Sequence, residues 1–121
     1  MKTHLYHLQL NVSPKSLAFY RDLFDYLGYK VIDDSSEHIG VSNGTTDFWL
    51  ILTEEKHLVS NFHRKNTGIN HLAFAVESKE IVDQFTNDFL KTRGVPTLYD
   101  TPKLFPEYNP NYYAVYFEDP G

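Results

Sequence analysis

Two histidines stand at equivalent places in a repeated pattern. His7 opens the run HLQLNV and His71 opens the run HLAFAV, both of the form His-Leu-x-(Leu/Phe)-x-Val. A neutral imidazole ligates divalent transition metals and can act as a base near neutral pH. Two imidazoles in matching positions suit a shared site that holds a metal ion or an oxygen-bearing ligand. The plainer alternative is a pair of polar residues at strand starts. The chain has no cysteine, which removes disulfides, thiolate metal sites and a cysteine nucleophile. Any metal would therefore be held by nitrogen and oxygen. His4 is out of phase with His7. His57, His63, Glu54 and Glu55 fall in a polar stretch and read as solvated groups.

Strand side chains alternate between faces. In the first run Leu8, Leu10 and Val12 share a face, and His7, Gln9 and Asn11 share the other. In the second run Leu72, Phe74 and Val76 oppose His71, Ala73 and Ala75. The apolar faces suit packing against helices. The opposite faces suit a partly polar hollow, which puts His7 and His71 on that side. In DFWLILT, Asp47–Thr53, turning Phe48, Leu50 and Leu52 to a helix leaves Asp47, Trp49, Ile51 and Thr53 facing the hollow, with no carboxylate in the middle. NYYAVYFE, Asn111–Glu118, splits into Tyr113, Val115 and Phe117 against Tyr112, Ala114, Tyr116 and Glu118. Gln9, Trp49, Ile51, Ala73, Tyr112 and Tyr116 are the candidate pocket residues. Glu118 is a candidate metal ligand or base at the rim.

The elements that position these residues also occur twice. After HLQLNV, Ser13-Pro14 reads as a helix start. Leu17, Tyr20, Leu23, Phe24 and Leu27 recur at helical spacing, and Gly28 stops the helix. After HLAFAV, Ser78 caps a second helix carrying Ile81, Val82, Phe85, Phe89 and Leu90, with Gly94 as its stop. Strand-like runs follow the first helix at Tyr29–Ile32, His38–Val41 and, past the Asn43-Gly44 turn, Asp47–Thr53. Thr97–Tyr99 and Asn111–Glu118 follow the second. The loop Thr101–Pro110 holds three prolines and is long enough to cover a cavity. The unit is β-α-β-β-β, used twice in one α+β domain: module one about 1–53, a linker about 54–68, and module two about 69–121. The second module reaches Asp119-Pro120-Gly121 one strand short, so its last strand is expected to be absent or truncated.

A chain of 121 residues that is 41% hydrophobic and 22% charged should fold around a core. Aromatics make up 16%, which suits bulky cores and ligand cavities. The net charge of −5, with no basic cluster, argues against nucleic acid. No apolar run approaches the roughly 20 residues of a membrane span. A signal peptide is not expected, and the cytoplasm is the expected compartment.

Several stretches together resemble one family. They are His7-Leu-Gln-Leu-Asn-Val, Ser16-Leu-Ala-Phe-Tyr-Arg-Asp-Leu, Tyr26-Leu-Gly-Tyr, Asn70-His-Leu-Ala-Phe-Ala-Val and Tyr112-Tyr-Ala-Val-Tyr-Phe-Glu-Asp-Pro. The chain resembles the vicinal oxygen chelate superfamily of glyoxalase I, extradiol dioxygenases and bleomycin-resistance proteins, in particular its small glyoxalase-like members. The resemblance implies two βαβββ modules forming an open, cupped sheet with helices outside. In metal-using relatives one divalent ion sits in the cup, held from the first and last strands of each module. His7 and His71 match the two first-strand ligands. The third position falls on Trp49–Ile51, where relatives place a glutamate, and the fourth lies just past the Asp119-Pro120-Gly121 turn, which leaves Glu118 as the candidate acid. The implied cofactor is a divalent ion such as zinc, nickel, iron or manganese. The implied activity is that of a lyase, isomerase or dioxygenase acting on a small oxygenated molecule. The alternative is a metal-free, drug-sequestering binder of the bleomycin-resistance kind. A homodimer is the expected assembly.

Overall fold

Strand β1, His7–Val12, owes its existence to a partner far along the chain. It pairs in parallel with β4, Asp47–Leu52, with His7 beside Asp47, Gln9 beside Trp49 and Asn11 beside Ile51. The computed structural model describes residues 1–58 and 63–121. It divides into two units, Met1–Asn61 with Asp119–Gly121, and Phe62–Glu118. The expected linker 54–68 spans this division, and its residues 59–62 lie outside the described residues.

The first unit is β1, then helix α1 (Leu17–Tyr26), β2 (Lys30–Asp34), β3 (His38–Ser42) and β4. This is the β-α-β-β-β order expected for module one. The four-stranded sheet runs β1-β4-β3-β2, with β3 antiparallel to both neighbours. Alternation gives the sheet a dry face. Val12, Ile39, Val41, Phe48 and Leu50 bury there against Leu17 and Phe24 of α1, with Leu8, Leu10 and Tyr20 packed around them. Gly28 stops the helix in the left-handed region at φ 85°, a conformation that costs glycine nothing. The helix start differs from expectation. Ser16, not Ser13, precedes the first helical residue, and Ser13–Ser16 forms a turn closed by Ser16 N–H donating to the Ser13 carbonyl. Pro14 sits inside that turn, where it lacks an N–H the turn does not need.

The end of the sequence returns to this unit. Tyr20 Oη donates to Asp119 Oδ2 at 2.6 Å, and Gly121 N–H donates to Asp119 Oδ1. A β-carbon at Gly121 would collide with the hydroxyls of Ser13 and Ser16. The Phe-Tyr element of the first helix and the Asp-Pro-Gly element near residue 120 are thus two halves of one clasp.

The second unit holds helix α2 (Lys79–Phe85), β5 (Thr97–Leu104) and β6 (Tyr113–Phe117), the two strands forming an antiparallel pair. Ser78 caps α2 as expected, its hydroxyl accepting from Ile81 N–H at 3.3 Å. The helix then widens into a π-type turn, Thr86–Leu90. Thr86 Oγ1 donates back to the Val82 carbonyl, a bond that competes with the regular ladder and bends helices. Gly94 closes the segment at φ 65°. Tyr113 and Phe117 turn toward α2: Tyr113 Oη donates to Asp83, and Phe117 packs on Phe85.

His71–Val76 is a correction. The repeat predicts a strand with Leu72, Phe74 and Val76 packed on a helix. In the structure this run belongs to neither sheet, and those three side chains are 42%, 39% and 44% exposed. A strand needs a backbone partner as well as a pattern. Its counterpart β1 has β4 beside it, whereas the sheet of this unit consists of β5 and β6. The loop expected at Thr101–Pro110 is also revised, because β5 runs on to Leu104 through an irregularity between Leu98 and Lys103.

Phe24 and Leu50 are 1% and 0% exposed in the core of the first unit. Truncating either to alanine is expected to cost about 3–5 kcal/mol. Tyr20→Phe, which removes one hydrogen bond to a carboxylate, is expected to cost about 1–3 kcal/mol. Denaturant unfolding of the three variants checks both the size and the order of these losses.

Candidate functional site

The same alternation that dries one face of the first sheet loads the other. His7, Gln9 and Asn11 of β1 all point away from the core and are exposed. In β4, Trp49 and Ile51 lie on this face, flanked in register by Gln9 and Asn11 on one side and by Gly40 and His38 of β3 on the other. Gly40 is required here. A β-carbon at that position would come 2.6 Å from Trp49 Cζ3, so the indole lies flat over bare backbone. His7 contacts Tyr6 edge to face at 5.4 Å. His38 is engaged, with Nε2 on Asp33 Oδ2 at 2.8 Å and Nδ1 on Ser35 Oγ at 3.0 Å. The imidazole beside Asp33 holds that carboxyl below the usual carboxylate range. A depression of about 310 Å³ in this unit is lined by Arg21, Asp22, Asp25, Tyr29, Val31 and Val41. It contains none of the residues expected from sequence.

In the second unit the candidate residues gather around Tyr116. Its hydroxyl shares a hydrogen bond with Tyr112 Oη at 2.9 Å. Its ring meets the edges of His71 at 6.0 Å, Tyr99 at 5.6 Å and Phe105 at 5.8 Å. Two residues that sequence reading did not single out complete the group. Arg64 donates through Nη1 to Glu118 Oε1 at 3.0 Å and through Nη2 to Tyr99 Oη at 3.1 Å. Asn70 donates through Nδ2 to the Arg64 carbonyl, and its Oδ1 lies 3.0 Å from His71 Nδ1. Glu118 is therefore the partner of an arginine. Ala73 lies in the exposed run 71–76.

Backbone strain helps to shape this cluster. Tyr99 and Asp100 have φ of 58° and 55°, the left-handed region, which costs a side-chain-bearing residue about 1–2 kcal/mol. Thr101 holds the distortion in place. Its buried hydroxyl donates to the Leu98 carbonyl at 2.6 Å and accepts from Tyr116 N–H at 2.9 Å. The consequence is that Tyr99 is 54% exposed yet its ring is anchored by the hydroxyl on Arg64 and by an edge-to-face contact with Tyr116. Proline and aromatic density around residues 99–112 was the available signal, but a paired left-handed conformation at Tyr-Asp has no sequence signature.

Chemically the cluster offers hydroxyls that donate or accept, one imidazole, and aromatic surface. Its arginine donates from each terminal nitrogen, to Glu118 and to Tyr99. Among the described residues no group of three or more His, Cys, Asp or Glu side chains is arranged to hold a metal ion. Glu118 is turned to Arg64, and the open face of β4 carries an indole and an isoleucine, Trp49 and Ile51.

The Tyr116 hydroxyl titrates late. Its bond with Tyr112 first, then desolvation and the neighbouring tyrosines, push it up to about 12 from 10.0. Burial, with Asp119 beside it, pushes Tyr20 up as well. A raised folded-state value means that the folded protein keeps a proton the unfolded chain gives up. Stability is then full below about pH 10 and falls as pH rises toward about 12. Denaturant titrations on either side of that window are expected to show this loss, and Tyr116→Phe is expected to lessen it.

No family model matches the sequence. The chain is 36% identical over 120 residues to the Bacillus subtilis protein YqjT, itself uncharacterized, covering 96% of this chain and 91% of that protein. It is 41% identical to a Bacillus halodurans protein of known structure provisionally described as a glyoxalase, with a TM-score of 0.85 over 96% of this chain and 87% of that one. A lactoylglutathione lyase from Agrobacterium tumefaciens, 16% identical with a TM-score of 0.58, covers 98% of this chain and 87% of its own and shares the fold. No helix among the described residues is long and apolar enough to cross a membrane. With its α+β architecture, its four-stranded open sheet and these relatives, the chain belongs to the glyoxalase-like family of YqjT and the Bacillus halodurans protein.

Proposed function

We propose that this glyoxalase-like protein binds a small, oxygen-bearing organic molecule. The observation that carries the reading is the Tyr112–Tyr116 hydroxyl pair bordered by His71, Tyr99 and Phe105. Apolar ring surface supplies affinity, and a few fixed polar atoms supply orientation, which is the usual make-up of a small-molecule site. The apolar pair Trp49 and Ile51 beside Gln9 gives the first unit a face of similar character. Support also comes from the 41% identical relative described provisionally as a glyoxalase. The metal-free form of this reading is favoured by the indole and isoleucine, Trp49 and Ile51, on the open face of β4.

A metal-dependent lyase, isomerase or dioxygenase is the second reading. It is favoured by one observation: His71 Nδ1 is engaged by Asn70, which leaves Nε2 with its lone pair. His7 and His71 would be the nitrogen ligands of zinc, nickel, iron or manganese, and the bound ion would supply Lewis-acid chemistry. The homodimer remains part of the proposal under both readings.

Elemental analysis of protein purified without chelators separates the two. The metal-free reading expects far less than one ion per chain. The metal reading expects close to one, lost in His7→Ala and His71→Ala. Calorimetric titration with a panel of small hydroxy and keto compounds tests binding itself. At least one should bind, and Tyr116→Ala should weaken it about tenfold, the worth of one hydrogen bond with some contact area. Equal binding by parent and Tyr116→Ala, with both folded by circular dichroism, would overturn the proposed site.

A further inference from the structure

The network around His71 fixes more than the place of the ring. Asn70 Nδ2 lies 3.2 Å from the Arg64 carbonyl oxygen, which accepts and never donates. The amide nitrogen must therefore face that carbonyl, and Oδ1 must face His71. Oδ1 in turn only accepts, so the proton of the neutral ring has to sit on Nδ1, 3.0 Å away. Nε2 is then unprotonated, and among the described residues it has no hydrogen-bond partner. Free neutral imidazole side chains in water prefer the opposite tautomer, with the proton on Nε2. Asn70 holds His71 in the less common form.

The surroundings narrow what such a nitrogen meets. A lone pair calls for a proton donor. The neighbouring surface is aromatic, with Tyr116 edge-on to His71 and Tyr99 beside it. The nearby cation is paired, since Arg64 holds Glu118 and Tyr99, so its charge is already balanced by a carboxylate. We propose that Asn70 is a positioning residue that presents His71 Nε2 as an acceptor, and that the group it receives is the hydroxyl of an uncharged ligand whose apolar body lies against the Tyr99 and Tyr116 rings. The ligand half of this inference rests on the binding reading above. The tautomer half stands in the free protein.

Two-bond proton–nitrogen correlation spectra of the metal-free protein, at about pH 8.5 where imidazoles are ordinarily neutral, read the tautomer directly. His71 is expected as the Nδ1–H form. His63 provides the contrast in the same spectrum, because its Nδ1 accepts from Lys65 N–H at 3.2 Å and its proton must be on Nε2. Asn70→Ala should return His71 to the Nε2–H form, and Asn70→Asp, whose carboxylate still accepts, should keep it Nδ1–H. A parent protein with His71 predominantly Nε2–H would overturn the positioning role.

Benzyl alcohol and benzyl methyl ether then test the ligand class, since they differ in the hydroxyl proton. The alcohol is expected to shift the His71 ring nitrogens and to bind about tenfold more tightly than the ether, the usual worth of one hydrogen bond. Equal effects from the two probes, no effect from either, or tighter binding of benzoate would overturn the ligand assignment. The tautomer result, read without any ligand, would then stand or fall by itself.

Discussion

The parallel pairing of β1 with β4 is the interaction on which the first unit depends. It joins residues 7–12 to residues 47–52, a closure that costs chain entropy before any contact repays it. Once made, it fixes the phase of every side chain in two strands, and β3 then follows in antiparallel register. Because the side-chain period is two, a slip of one residue would turn Phe48 and Leu50 outward and Trp49 inward. The buried set Val12, Ile39, Val41, Phe48 and Leu50 penalises any such slip. The outward set of His7, Gln9, Trp49 and Ile51 is therefore positioned by the hydrophobic core on the opposite side of the sheet.

The edges of this arrangement are managed by charge and by the returning tail. Strand β2 is exposed along its length and carries Lys30, Asp33 and Asp34, which discourages pairing with another chain. Its acids are tied back, Asp34 to Arg21 and Asp33 to His38. Exposed pairs of this kind contribute little stability, and their effect is to pin a strand that has a neighbour on one side alone. The clasp of Tyr20, Asp119 and Gly121 works differently. It is partly buried, it joins residues 99 positions apart, and it requires a glycine against two serine hydroxyls. Two local motifs that look independent along the chain are explained by one hydrogen bond.

How much of this was legible in the sequence depended on where each element found its partner. Module one was legible because pattern and pairing agree: Leu8, Leu10 and Val12 alternate with His7, Gln9 and Asn11, and a strand lies ready to receive them. HLAFAV has an equally clear pattern, yet it stays outside the sheets, since periodicity reports which side chains wish to be buried and says nothing of whether a backbone partner exists. Ser13 misled for a smaller reason. Serine followed by proline fits a helix start and a turn equally well, and the burial of Ser16 chose the turn. On β6 the split of Tyr113 and Phe117 from Tyr112 and Tyr116 was readable from alternation alone. Arg64, Asn70 and Tyr99 were not, because their roles come from tertiary contacts and from a left-handed backbone that no residue type announces.

The character of the open face in the first unit is set by two side chains of β4, Trp49 and Ile51. The indole of Trp49 lies over Gly40, while Ile51 sits between Asn11 and His38. The fit of indole to bare glycine backbone makes the two positions a single feature. A carboxylate at Trp49 would leave a trough over Gly40, and one at Ile51 would stand beside a histidine already committed to Asp33. Such a surface gains by covering the apolar area of Trp49 and Ile51. In the Tyr116 cluster the arginine and glutamate are paired with each other. Both units thus present hydrogen-bonding atoms on an aromatic ground, Gln9 and Asn11 beside Trp49 in the first and the Tyr112–Tyr116 hydroxyl pair in the second.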